Sequence, residues 1–293
     1  MSEDRVERNQ VFSPAQQKQM SAGVSPLMPT HSLAETVKAD FGLDVPSELV
    51  PVPSRGLVYP KDSPMFGKEL IEISPMTARE EDILTSQALL KKGTVISELI
   101  RSCLLDKSVD PTQMLVGDRN ALIVAIRITG YGADYDAETT CPSCSATTTK
   151  QFNLAELTIR RMEIEPVAPG VNLFEFLLPS SKKRVKFRFL TGRDEEEIVA
   201  TQDRMKKTGL KSDNSVTTNL MYSIMSIEGI DDRTKISQFI RMMPAKDSMA
   251  LRMYMRDNEP GIIMKQEVSC SGCGGTEEVN IPLGVKFLWP AAG

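Results

Sequence analysis

The stretch YGADYDAETTCPSCSATTTKQFNL, residues 131–154, decides how this chain is read. Threonines and aromatics flank Cys141-Pro142-Ser143-Cys144, a composition that suits two strands and a turn better than a helix. A CxxC tetrapeptide at the tip of a hairpin has the form of a zinc knuckle and supplies two thiolates. Two more come from Cys270-Ser271-Gly272-Cys273, again between strand-like stretches. Four thiolates make a closed tetrahedral site, which stabilises a fold and leaves no position open for chemistry. The sequence therefore predicts one structural zinc per chain, held by Cys141, Cys144, Cys270 and Cys273. Iron takes the same geometry. A redox dithiol at Cys141 and Cys144 would call for a βαβ setting that the sequence does not offer.

Cys141 and Cys270 lie 129 residues apart, against roughly 15–20 within a self-contained zinc ribbon. An internal repeat accounts for that distance. Thr77-Ala78-Arg79-Glu80, a capping box ahead of a helix, has its counterpart in Thr191-Gly192-Arg193-Asp194 at an offset of 114. Ile71 and Ile73 fall on Val185 and Phe187 at the same offset, and Leu99 falls on Leu220 at 121. Ala121, Leu122 and Arg127 match Ala250, Leu251 and Arg256 at 129, the offset of the cysteines. The expected fold is α+β, a tandem duplication in which strand, three helices and CxxC hairpin occur twice. The halves would be joined by the shared zinc. About fifteen extra residues belong to the second half, expected near Lys206–Asp213 and Ser226–Arg233.

The predicted organisation is a mostly disordered arm over 1–45, a first repeat over 46–165 and a second over 166–293. The arm is rich in Ser, Pro, Gln and Glu and shows little periodicity. It carries one short helix over 32–41, with Ser32 as cap and Gly42 as stop. Helices are expected from Thr77 to about Leu90, from Thr94 to Leu105, and from near Asp118 to Gly130. Cys103 shares an apolar stripe with Ile96, Leu99 and Ile100, so it reads as a small buried hydrophobe. Residues 158–170, with two prolines and a glycine, read as the junction between the repeats.

With 39 acidic and 35 basic residues the net charge is −4, so no general field attracts nucleic acid or an anionic membrane. No apolar run reaches the length of a membrane span, and the N-terminus lacks a signal-peptide core. Folding in cytosol follows, where CxxC pairs bind metal rather than form disulfides. The single histidine, His31, excludes histidine-based triads and HExxH sites. Glu80, Glu81, Asp82 and Asp194 to Glu197 sit in first helical turns, where the helix dipole accounts for them without catalysis. Arg184, Lys186 and Arg188 line one strand face. That face suits solvent or an acidic protein partner better than phosphates. The methionines from Met242 to Met255 suit core or interface packing.

Several longer motifs complete the reading. Pro53-Ser54-Arg55-Gly56-Leu57-Val58-Tyr59-Pro60, Pro75-Met76-Thr77-Ala78-Arg79-Glu80-Glu81-Asp82-Ile83-Leu84, Lys91-Lys92-Gly93-Thr94 and Val116-Gly117-Asp118-Arg119-Asn120-Ala121-Leu122 resemble the baseplate hub and hub-assembly proteins of T4-like tailed bacteriophages. The resemblance implies a non-enzymatic protein made in the host cytoplasm, acting in hub morphogenesis as a component or an assembly chaperone. Its implied partners are other baseplate or tail proteins. A zinc-ribbon factor binding nucleic acid is the alternative, and it requires a basic groove near the knuckles.

Overall fold

Strand β2 (Leu70–Ile73) alternates, turning Ile71 and Ile73 inward and Leu70 and Glu72 outward. The structure, a computed structural model, describes residues 46–289 except 142, 208–214, 282 and 284. The predicted N-terminal arm and its helix over 32–41 lie outside the described residues. Strand β1 (Glu48–Pro51) pairs antiparallel with β2, Val50 opposite Ile71. Helix α1 (Ala78–Thr85) opens on the predicted capping box: the backbone N–H and hydroxyl of Thr77 both donate to Glu80, at 2.9 and 2.6 Å. The expected single helix to Leu90 is broken, because Ser86 adopts an extended conformation and a separate helix α2 (Gln87–Lys92) follows. Gly93 ends α2 in the left-handed region. Helix α3 (Val95–Cys103) buries Leu99, Ile100 and Cys103, and Leu104 then bridges to Ile73 at the open side of β2.

Helix α4 (Val116–Tyr131) leads into the hairpin of β3 (Asp134–Thr140) and β4 (Thr147–Asn153), with the first CxxC between them. The segment expected to be a plain junction is tied down. Its strand β5 (Ile159–Arg160) pairs with β9 (Gly261–Ile262), Met162 is buried, and the Gly170 N–H donates to the Leu57 carbonyl. The sheet β6 (Phe174–Leu177), β7 (Arg184–Phe187) and β8 (Ile224–Ile227) follows, with β7 in the middle. Its inner face carries Phe174 and Phe187, which pack with Phe189 at ring distances of 4.9 to 5.8 Å. Helices α5 (Gly192–Lys207), α6 (Ser215–Ser223), α7 (Arg233–Met242) and α8 (Ala245–Asn258) complete this part. The sequence reading named neither β8 nor α7. The second hairpin is β10 (Lys265–Ser269) with β11 (Thr276–Asn280). Helix α9 (Val285–Leu288) returns Phe287 onto Tyr135 of the first hairpin, ring centroids 5.0 Å apart.

The first turn of α4 carries three consecutive residues with separate tasks. A Cβ at Gly117 would lie 1.7 Å from the Pro260 carbonyl oxygen, so only glycine lets the helix meet the chain before β9. Asp118, fully buried, accepts hydrogen bonds from the Ser54 N–H at 2.9 Å, the Ser54 hydroxyl at 2.6 Å and the Tyr59 hydroxyl at 2.5 Å. Tyr59 in turn accepts the Leu115 N–H. Arg119, also buried, donates to Ser97 at 3.0 Å and faces Glu195 and Glu196 of α5 at 3.5 and 3.8 Å. The helix starts at Val116, close to the expected start near Asp118, and the aspartate is a tertiary anchor. Burial raises its pKa, and it raises that of Tyr59.

Two outcomes follow. Tyr59→Phe leaves the Leu115 N–H without its acceptor and Asp118 one donor short, so it should cost about 1–3 kcal/mol in urea unfolding. Burial opposes ionisation of Glu80, but donors from Ser102 and Thr77 outweigh it. Asp194 behaves likewise through Arg188 and Thr191, and both carboxyls titrate below their ordinary range. A lowered carboxyl pKa stabilises the fold above the unfolded value, and that contribution is lost as the pH falls through the folded value. Glu80→Gln and Asp194→Asn should be less stable than the parent at pH 7. The difference should close below about pH 4, read from urea midpoints against pH.

Candidate metal centre

The two hairpins are built alike at their tips. At the first, the Cys141 N–H donates to Ala146 and the Ser145 N–H to the Cys141 carbonyl, at 3.0 and 2.8 Å. At the second, the Cys270 N–H donates to Gly275 and the Gly274 N–H to the Cys270 carbonyl, at 2.8 and 2.9 Å. Ser145 and Gly274, at corresponding places, both turn through positive φ, 58° and 73°. These turns aim the sulfurs inward. Backbone N–H groups then point at thiols, Cys144 to the Cys141 Sγ at 3.4 Å and Gly272 to the Cys270 Sγ at 3.3 Å. N–H groups of Cys273 and Gly272 bring the Cys270 thiol down to about 6.

The tips meet. All four sulfurs lie within 4.8 Å of one another, with Cys141 to Cys273 at 3.7 Å and Cys144 to Cys270 at 3.6 Å. A tetrahedron with metal–sulfur bonds of about 2.3 Å has edges of about 3.8 Å, whereas a disulfide needs about 2.05 Å. The sulfur set fits a tetrahedral ion. Each hairpin gives one buried cysteine, Cys141 or Cys270, and one exposed one, Cys144 or Cys273. An ion there would have protein sulfur on every side and no vertex for substrate.

The remaining singled-out residues fall elsewhere. Cys103 is fully buried in the core, where burial and the neighbouring Glu80 push its thiol up to about 12. His31 lies outside the described residues. Arg188 forms a two-pronged pair with Asp194 at 2.7 and 2.6 Å and Lys186 pairs with Glu175 at 3.6 Å, so of the expected row of three cations only Arg184 makes no ion pair among the described residues. Asp194 is committed to that pair and to the cap of α5. Met242, Met249 and Met253 are exposed, while Met243 and Met255 pack on the core. Sequence reasoning missed Asp118 and Arg119. The available signal was a pair of opposite charges just ahead of the apolar run Ala121 to Ile126.

The body mixes helices with small antiparallel sheets, and its two hairpin tips gather four sulfurs that could hold a metal ion. The chain belongs to the family described as T4 bacteriophage base plate protein, whose model matches residues 61–289, most of its length. The match begins just after the motif ending at Pro60 and spans both CxxC hairpins. No curated protein and no solved structure matches the chain. The family makes it a phage baseplate protein, which works in contact with other tail proteins. No helix among the described residues is long and apolar enough to cross a membrane.

Thiol counting tests the centre. In the native protein at pH 8, Cys103 should resist a thiol reagent, because a neutral buried thiol is a poor nucleophile. Chelator should release four reactive thiols, and denaturant the fifth.

Proposed function

We propose that this chain is a non-enzymatic component or assembly chaperone of the baseplate hub, held in shape by one zinc ion shared between its two CxxC hairpins. The observation that carries the metal assignment is the sulfur geometry, whose measured edges of 3.7 and 3.6 Å suit a tetrathiolate ion. Zinc is preferred to iron because a closed site of this kind needs no redox chemistry. Bound there, zinc would supply cross-linking alone, and Cys141, Cys144, Cys270 and Cys273 would be its ligands. A structural role agrees with the acids Glu80 and Asp194, which are occupied as helix caps. Host cytoplasm is the expected place of synthesis and the baseplate the expected destination.

The same reading includes a tandem duplication, 46–165 and 166–293. Several pairs of contacts support it beyond the cysteines. Thr77 with Glu80 and Thr191 with Asp194 make the same two bonds ahead of α1 and α5. Leu104 sits beside Ile73 as Ile224 sits beside Phe187. Asp118 takes the N–H of Ser54, and Asp247, at the matching place on α8, takes that of Ser180. On this reading part of the excess lies just beyond the expected Ser226–Arg233, in helix α7, which has only the short turn Pro111–Gln113 opposite it in the first half.

The nucleic-acid alternative wants a basic groove at the knuckles. The hairpin strands instead carry Asp134, Asp136, Glu138, Glu267 and Glu278 against Lys150 and Lys265, and Lys265 pairs with Glu278. Purified protein should contain about one zinc per chain by elemental analysis. Cys144→Ser should lose the ion and lower Tm by about 10 °C or more, and phage carrying it should assemble few baseplates. Metal-free protein that is equally stable in chelator would sink the clasp. Normal baseplates without the protein would sink the role.

A further inference from the structure

The outer face of the sheet β6–β7–β8 holds a groove of about 520 Å³, lined by Glu175, Leu177, Lys182, Arg184, Lys186 and Ser226, with Glu228 and Gly229 at its end. Its charges are unevenly spoken for. Lys186 pairs with Glu175 at 3.6 Å, and Glu228 accepts the backbone N–H of Arg184 at 2.7 Å. The side chains of Lys182 and Arg184 are exposed and make no ion pair or hydrogen bond among the described residues. Lys183, also exposed, adjoins them. Leu177, at 58% exposure, adds an apolar contact on β6, which is an edge strand. Lys182 and Glu228 hold backbone φ of 56° and 50°, which non-glycine residues adopt rarely.

The matching face of the first half offers a control within the molecule. There β1 and β2 turn Leu49, Pro51, Leu70 and Glu72 outward, with Leu49 and Leu70 60% and 50% exposed and no cation among the four. Two faces of one architecture thus carry different chemistry, and only the second combines unpaired cations with an apolar floor. We infer that this groove docks an extended acidic segment of another tail protein, its carboxylates on Lys182 and Arg184 and an apolar side chain on Leu177. The inference rests on the baseplate reading and names the chemistry of one partner. A nucleic acid is a poorer occupant, because Glu175 and Glu228 would face its phosphates and Leu177 would be left unused.

The test uses the full-length protein, metal included, and fluorescence anisotropy with three labelled probes. These are a short peptide alternating Glu and Leu, its Gln and Leu counterpart, and a single-stranded oligonucleotide. The Glu and Leu peptide should bind best and lose affinity as salt rises. Its affinity should fall about tenfold or more for Lys182→Glu combined with Arg184→Glu, in protein whose Tm and zinc content are unchanged. Equal binding of the two peptides, or equal binding by parent and variant, overturns the inference, as does tighter binding of the oligonucleotide. Complementation of a phage lacking its own copy separates the two levels. Assembly that needs the protein but tolerates the double variant overturns the groove and leaves the baseplate reading standing. Assembly that needs no copy overturns the baseplate reading, and the peptide measurement then decides the groove alone.

Discussion

The centre of the fold turns on a close backbone contact, that of Gly117 with Pro260. The approach leaves no room for a side chain, so the start of α4 is held against the chain that leads into β9 and the second hairpin. From that fixed point the next two residues reach in other directions. Asp118 gathers the loop around Ser54 and Tyr59, and Arg119 reaches α3 and the first turn of α5. Burying two opposite charges side by side is costly unless each finds its own partners. Asp118 finds three donors. Arg119 finds a hydroxyl and two carboxylates within ion-pair range, though among the described residues its Nε and Nη1 are left without a hydrogen-bond partner. One of the four motifs that resemble baseplate proteins, Val116 to Leu122, thus joins several parts of this body.

Local signals were legible where one residue type answers one local need. Both capping boxes, the alternation of β2 and β7, and both CxxC hairpins follow from short-range rules and were read without the structure. The four candidate ligands could be named because thiolate spacing is a chemical signal, but their convergence is a tertiary fact that spacing only suggests. The break at Ser86 was not legible, since serine favours caps and turns but its cost inside a helix is too small to stop one by itself. Nor was the role of Asp118, because a first-turn acid already has a sufficient local explanation in the helix dipole. The junction over 158–170 misled for a similar reason. Its prolines and glycine speak of turns, while its pairing with β9 depends on residues a hundred positions away.

The basic strand shows how context divides a uniform pattern. Arg184, Lys186 and Arg188 look equivalent in sequence. In the fold, Arg188 closes on Asp194 and braces the start of α5, Lys186 leans on Glu175, and the Arg184 side chain makes no ion pair among the described residues. A count of charges could not have separated a brace from an unpaired cation. The same holds for the methionines, of which the half-buried Met243 and Met255 pack against the core while Met242, Met249 and Met253 face solvent.

The long stretch between the knuckles also sets an order of events during synthesis. Cys141 and Cys144 emerge from the ribosome 129 residues ahead of Cys270. At ordinary elongation rates that is a wait on the order of ten seconds. During it the first hairpin has only two thiolates to offer, too few to enclose an ion. If the four thiolates hold a zinc ion as proposed, its capture would report that both hairpins have been made, and a chain cut short between them would lack half the ligands.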